Sequence, residues 1–103
     1  MKKLVLTLTL AALPIPALAA AEPAPMSKYC PKIAELANGV MVARQNGSPM
    51  REVMALADGN DVMVSMVTEA YGQSVYRTPD IRERVIQDFE DTWYLRCVKS
   101  YDL

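Results

Sequence analysis

The fold of this chain depends most on residues 78–99, which read TPDIRERVIQDFEDTWYLRCVK. Thr78 and Pro79 are typical of a helix start, because a threonine hydroxyl can cap the first turn and proline suits the first helical position. At about 100° per residue, one sector of this helix collects apolar side chains and the other face collects polar ones. The apolar set is Val85, Ile86, Phe89, Trp93 and Cys97, and the polar set is Glu83, Gln87, Glu90 and Asp91. The pattern predicts a long amphipathic helix with a cysteine near its end.

The amino-terminal residues have the three parts of a secretory signal peptide. Lys2 and Lys3 precede an apolar run at residues 4–13, and small residues follow it, so we expect cleavage after Ala19 or Ala21. An uncleaved membrane anchor is the alternative, but it needs roughly twenty apolar residues, and this run has about half as many. The pattern therefore predicts a periplasmic or secreted protein with no stable membrane anchor after cleavage.

The predicted signal peptide determines the expected division of the chain into parts. Residues 1–21 form the predicted signal peptide, residues 22–27 are a proline- and alanine-rich flexible leader, and residues 28–103 form a single domain. Cleavage removes two of the eleven basic residues and leaves nine against twelve acidic ones, a net charge of about −3. Because no basic face remains, we do not expect nucleic acid or an anionic membrane as a partner.

The chain has two cysteines, Cys30 and Cys97. In an exported chain they favour one intramolecular disulfide, with an intermolecular disulfide or two free thiols as the alternatives. Closing a loop of this length is worth on the order of 4 kcal/mol in the chain-entropy model. For a domain whose core is marginal, that is a large share of the stability.

Three further helices are predicted ahead of the last one. The first covers residues 29–45 and ends at Asn46-Gly47; its apolar positions are Tyr29, Ile33, Leu36, Ala37, Val40 and Met41. Gly39 within it suggests close approach of another backbone or a kink. A short second helix, with Ser48 as its cap, covers residues 49–57 and turns Met50, Val53, Met54 and Ala57 inward. A third, capped by Asp61, covers residues 62–71 with Val62, Met63, Met66, Val67 and Ala70 as its apolar stripe.

These elements predict an all-α domain of four helices with short links. A bond between Cys30 and Cys97 makes the first and last helices antiparallel, and the two shorter helices then cover the opposite side. Residues 72–77 are the longest irregular stretch, which we expect to pack loosely over the core.

Several of these segments resemble a family of short, exported bacterial and prophage proteins. They are Cys30 ahead of the first helix, Ala43-Arg44-Gln45-Asn46-Gly47 at its end, Glu69-Ala70-Tyr71, and Phe89, Tyr94 and Cys97 in the last helix. The resemblance covers most of the mature chain and implies no established activity or site. A likeness in length and disulfide content to the small helical acid-stress chaperones of the periplasm is one of build only.

The sequence offers little material for catalysis. It contains no histidine, the commonest general base and metal ligand, and both cysteines are expected to be bonded. Asp88, Glu90 and Asp91 cluster, but Glu90 and Asp91 fall on the outer face of the helix. We expect no enzyme and no cofactor.

The methionines admit a second interpretation. Met50 with Met54, and Met63 with Met66, resemble thioether pairs that bind copper(I) in exported proteins. All four nevertheless lie on the apolar stripes, and methionine fills irregular cores well. Core packing is favoured over a metal site, with an adaptable exposed binding groove as the third alternative.

Arg44 is the most informative charged residue. On the wheel it falls between Ile33 and Ala37, within the apolar stripe, where an unpaired charge would cost several kcal/mol. The sequence therefore predicts a buried ion pair with Glu69, or with Asp88. The alternative is an anion site for a partner's carboxylate or phosphate, which guanidinium geometry suits.

Arg82 lies between Phe89 and Trp93 on the wheel of the last helix, but in its first turn, where it is expected to reach water. Taken together, these features predict an exported, non-enzymatic module that binds another protein, as an inhibitor, immunity-type or accessory protein. The alternative is a periplasmic chaperone that responds to acid or stress.

Overall fold

The computed structural model describes residues 26–100 of the chain, with side chains from residue 28. This part of the chain consists of four α-helices and no strands, as predicted. They are α1 (Met26–Gln45), α2 (Met50–Ala55), α3 (Asp61–Tyr71) and α4 (Pro79–Ser100). The predicted signal peptide, residues 22–25 of the predicted leader and residues 101–103 lie outside the described residues, whereas residues 26 and 27 of that leader belong to α1. Among the described helices, none has the length and hydropathy needed to cross a membrane.

Cys30 and Cys97 form the predicted disulfide, with 5.5 Å between their Cα atoms. The bond joins the first turns of α1 to the last turns of α4, so these two helices are antiparallel, as expected. α4 packs almost only on α1, whereas α3 contacts both α1 and α2. The first helix is therefore the centre of the domain, with α4 on one side and the two shorter helices on another.

Two further contacts hold α1 against α4. The Asn38 side-chain amide donates to the Glu90 carboxylate at 3.0 Å, and the Arg82 guanidinium donates to the Gln45 carbonyl at 2.8 Å. From the disulfide to this last contact is fifteen residues along each helix, about 22 Å at 1.5 Å per residue. Glu90 is thus half-buried, not on the outer face. The interface is fixed at both ends and in the middle.

The core is one cluster of side chains from all four helices. Its buried members are Cys30, Ile33, Ala37, Val40, Met41, Val53, Met66, Val67, Ala70, Phe89, Trp93 and Cys97. Two residues of the predicted α1 stripe are exposed instead, Tyr29 at 42% and Leu36 at 45%. On the helical wheel Tyr29 lies about 80° and Leu36 about 100° from the middle of the buried face, so both lie at or beyond its edge.

The end of α1 has the predicted left-handed stop. Gly47 has a φ of 85°, and its N–H donates to the Arg44 carbonyl while the Ser48 N–H donates to the Ala43 carbonyl. These are the two hydrogen bonds of a Schellman motif. Another backbone does not approach Gly39 closely, because no heavy atom would come within 4 Å of a Cβ at that position, and the alternative of a kink stays a prediction.

The caps of the two short helices differ from the predicted ones. Pro49, not Ser48, occupies the N-cap of α2, with no side-chain hydrogen bond, and this helix ends two residues early. Asn60, not Asp61, caps α3, and its side-chain oxygen accepts from the Met63 N–H at 3.0 Å. The chain turns at Asp58 and Gly59 with positive φ angles of 46° and 78°, which leaves Asn60 extended and suited to capping.

The methionines contribute mostly to the core. Met41 and Met66 are fully buried, and Met54 and Met63 pack against the core from its edge. Met50 is 39% exposed, so its predicted inward position is wrong. Within residues 28–100 no group of His, Cys, Asp or Glu side chains could hold a metal ion.

The irregular segment 72–78 is held more firmly than the sequence predicts. Gln45, which is only 3% exposed, donates to the Ser74 carbonyl at 2.7 Å and accepts from the Tyr76 N–H at 2.8 Å. Its amide nitrogen also lies 3.7 Å from the Met41 sulfur. The Gln45 side chain thus supplies hydrogen-bond partners for the backbone of segment 72–78. This ties the chain just before α4 to the end of α1.

Candidate functional site

The structure does not bring Arg44 and Glu69 together. Arg44 is half-buried; its guanidinium lies 5.1 Å from the centre of the Tyr71 ring, and its Nε donates to the Gln73 carbonyl at 2.9 Å. Glu69 instead forms an ion pair with Arg96 at 2.7 Å, with both side chains partly exposed. Arg44 sits in the last turn of α1, so its long side chain leaves the core and stacks on an aromatic face. The anion-site alternative for Arg44 stays a prediction.

Tyr71 is the centre of the contacts around Arg44. Its hydroxyl donates to the Ser48 carbonyl at 2.6 Å and so ties α3 to the loop after α1. Burial raises the pKa of this hydroxyl above its ordinary value of 10.0; the positive charge of Arg44 opposes the effect and the negative charge of Glu52 adds to it. The Tyr71 hydroxyl therefore stays protonated near neutral pH and keeps its hydrogen bond to the Ser48 carbonyl.

A double-mutant cycle separates the observed contacts of Arg44 from the predicted ion pair. We expect Arg44→Met and Glu69→Leu to be additive within about 0.5 kcal/mol in urea unfolding, because the two side chains do not meet. Arg44→Met and Tyr71→Leu should instead couple by about 0.5–1 kcal/mol, the range of a cation–π contact. A coupling above about 1.5 kcal/mol between Arg44 and Glu69 would contradict this geometry.

Arg82 also has a role that the sequence did not reveal. Besides the Gln45 carbonyl, its guanidinium donates to the Asn46 side-chain oxygen at 2.7 Å. It therefore satisfies carbonyl groups at the carboxyl end of α1, where a positive charge is favourable. Arg82 is thus half-buried against α1, a contact that its expected access to water does not include.

A cleft opens between α3 and α4. These two helices make almost no backbone contact, and the Glu69–Arg96 ion pair spans the gap between them. The Arg96 guanidinium lies 4.7 Å from the centre of the Trp93 ring, which fixes its position. Arg96 lines the cavities on both sides of it and so divides the cleft into two parts.

We call the part near the disulfide the apolar hollow. Its volume is about 150 Å³. Apolar side chains from three helices line it: Tyr29 and Ile33 of α1, Val62 of α3, and Trp93 and Cys97 of α4. Tyr29 and Val62 are 42% and 41% exposed, whereas the other three are buried. The hollow therefore has a buried apolar base and two large apolar side chains in contact with solvent.

The part beyond Arg96 we call the polar groove. Its volume is about 370 Å³. Its apolar lining is Met41, Val85 and Phe89, and its polar lining is Glu69, Gln73, Asp88, Thr92 and Arg96. The polar groove therefore has an apolar base bordered by charged and polar side chains.

Trp93 contributes a further feature to the cleft. Its indole Nε1 is the one buried side-chain nitrogen or oxygen without a hydrogen-bond partner among the described residues. Leaving such a donor unpaired costs about 1–3 kcal/mol. The ring packs against Phe89 at a centroid distance of 6.4 Å, so apolar contact holds it in place. The apolar hollow thus lies beside a buried donor that has no hydrogen-bond partner.

The sequence predicted the buried base of the cleft but not the cleft itself. The apolar pattern predicts that Val62 and Tyr29 lie on the buried stripes of their helices. Only their exposure shows that they lie at the edge of an open cavity. Predicted candidates contribute unequally: Glu69 and Asp88 line the polar groove, whereas Arg44 does not. The chain matches no protein-family model, no curated protein and no solved structure at a significant level.

Proposed function

We propose that this chain is an exported, non-enzymatic protein-binding module, and that a side chain of its partner enters the apolar hollow. The size of the hollow carries the proposal. At about 150 Å³ it falls below the roughly 300–1,000 Å³ of small-molecule pockets and suits a single apolar side chain. Two exposed apolar residues, Tyr29 and Val62, edge it and would be covered by such a partner.

The surroundings of the hollow support the same function. Binding energy at protein interfaces concentrates in a few apolar or aromatic anchors that fill pockets, and charged groups around them exclude water and fix orientation. Here Trp93 supplies the aromatic wall and Arg96 the adjacent charge. An inhibitor, an immunity-type protein and an accessory subunit would each act through a surface of this kind.

The proposal includes the compartment in which the protein acts, the periplasm or the cell exterior. A disulfide is consistent with an oxidising compartment. The amino-terminal lysines followed by an apolar run and small residues support export to the periplasm or beyond.

Val62 and Val64 offer a matched pair for testing this function. Both are on α3 and similarly exposed, at 41% and 37%, but only Val62 lines the hollow. The purified protein and its Val62→Gln and Val64→Gln variants are immobilised and exposed to an extract of exported proteins from the source organism. We expect one dominant partner to be captured by the wild type and by Val64→Gln, and at least tenfold less of it by Val62→Gln.

Two outcomes would contradict the proposal. Equal capture by both variants would place the binding surface elsewhere. Capture of many unrelated unfolded proteins, unaffected by either change, would favour the chaperone alternative, because a chaperone binds exposed apolar surface without one defined site.

A further inference from the structure

We infer that the segment occupying the cleft is cationic: it carries an apolar side chain for the apolar hollow and, about 10 Å from it, a lysine or arginine side chain for the polar groove. This inference rests on the proposed function and adds the chemistry of the partner. It follows from three observations: the charges that line the groove, the spacing of the two cavities along α4, and the ion pair that separates them.

The polar groove has an uncompensated negative charge. Glu69 is neutralised by Arg96, at 2.7 Å, so Asp88 is left as the remaining charge of the lining. Asp88 is exposed and has no ion pair among the described residues, although Arg84 lies one helical turn before it. The net charge of the mature chain, about −3 after the expected cleavage, has the same sign. A cation is therefore attracted to the groove and an anion is repelled.

The apolar lining of the groove also suits a basic side chain. Lysine and arginine place a long apolar stem on apolar surface and hold the charge at its end. Val85 and the accessible edge of Phe89 would contact the stem while Asp88 faces the charge. A short acidic side chain has no such stem, so the groove would accept it poorly even without the charge of Asp88.

The spacing along α4 fixes the distance between the two side chains. The hollow is lined on this helix by Trp93 and Cys97, and the groove by residues centred near Asp88 and Phe89. The centres are six to seven residues apart, which is about 10 Å at 1.5 Å per residue. A polyproline II segment, with three residues per turn and a rise of about 3.1 Å, covers this distance in three residues with both side chains on one face, and a helical segment covers it in about seven.

Arg96 adds selectivity against acidic segments that would otherwise be attracted to its charge. Its guanidinium is already engaged on both sides, by Glu69 at 2.7 Å and by the Trp93 ring at 4.7 Å. A partner carboxylate would have to compete with the Glu69 carboxylate for this charge. The Glu69–Arg96 ion pair therefore leaves Asp88 as the charge of the lining that attracts the partner.

The test uses a phage-displayed library of random twelve-residue peptides selected on the purified protein. We expect the enriched peptides to carry Leu, Ile, Met or Phe with Lys or Arg three or seven positions away. Trp93 is the single tryptophan of the chain and lines the hollow, so a tryptophan-free peptide that enters the cleft should change its fluorescence emission.

The dissociation constant of the best peptide is then measured for the wild type and for four variants. Val62→Gln should weaken binding at least tenfold and Val64→Gln less than twofold. Asp88→Asn should weaken it about fivefold, whereas Asp91→Asn, a change at an exposed acid of α4 outside the groove, should have less than a twofold effect. The effect of Asp88→Asn should shrink in 0.5 M salt, since exposed charges are screened.

The outcomes distinguish failure of the cationic-partner inference from failure of the proposed function. If Val62→Gln weakens binding but Asp88→Asn does not, or if the enriched peptides lack basic residues, the cationic partner is ruled out while the apolar hollow remains the binding site. If Val62→Gln and Val64→Gln bind alike, or if no enriched peptide changes the Trp93 emission, both the inference and the proposed function fail.

Discussion

Replacing Cys30 and Cys97 by alanine together should lower the free energy of unfolding by about 4 kcal/mol. The disulfide closes a loop of 67 residues, and its loss restores the conformational entropy of the unfolded chain. For a domain of this size, 4 kcal/mol corresponds to a fall in melting temperature of about 20 °C. Urea unfolding followed by circular dichroism measures the free energy, and a thermal scan measures the midpoint.

The other contacts between α1 and α4 allow the variant to keep its fold below its lowered melting temperature. Asn38 with Glu90, and Arg82 with Gln45, remain in place, so the helical signal at low temperature should match that of the wild type. Reduction of the wild-type protein is the control and should give the same loss of stability. A loss below about 1 kcal/mol in both experiments would contradict the structural role assigned to the disulfide.

Gln45→Glu should cost about 2–4 kcal/mol at pH 7. The change removes the amide donor and places a carboxylate, in a site only 3% exposed, against the Ser74 carbonyl and the Met41 sulfur. Neither of these acceptors can pair with a carboxylate oxygen. The segment 72–78 then loses one of its attachments to α1, the bond at the Ser74 carbonyl, while the Arg44–Gln73 bond remains.

The pH dependence identifies the cause of this loss. Burial and facing acceptors raise the pKa of the introduced carboxyl in the folded state above its unfolded value, so the folded state binds more protons and the deficit shrinks as the pH falls through the folded pKa. Gln73→Glu, the same change at an exposed side chain, is the control and should stay within about 0.5 kcal/mol of the wild type. A deficit that is independent of pH would show that packing, not charge, causes it.

The sequence predicted the elements and the pairing of the two long helices because these depend on local signals. The apolar period, the Thr78-Pro79 start, the Asn46-Gly47 stop and a cysteine on each long helix can be read within one segment at a time. The caps of α2 and α3 were each misplaced by one residue, since the choice between neighbouring cap residues depends on turn geometry that a single segment does not determine.

The long-range polar contacts could not be predicted in this way. Gln45 looks like an ordinary polar residue in the last turn of a helix, and only the path of segment 72–78 buries it. Helical periodicity gives the angular positions of Arg44 and Arg82 around their helices. It takes no account of the length of the side chain or of the segment that packs beside it. Each guanidinium extends to backbone carbonyls some thirty residues away or more, beyond what helical periodicity describes.

The central claim, that a partner occupies the apolar hollow, is tested most directly by site-specific photocross-linking. A photoreactive amino acid is placed at position 62, which lines the hollow, and in a second protein at position 64, which does not. Both proteins are exported in the source organism, irradiated, and analysed for covalent adducts by mass spectrometry. We expect one protein to be joined to position 62 and not to position 64. Adducts of equal yield at both positions, or at position 64 alone, would contradict the account.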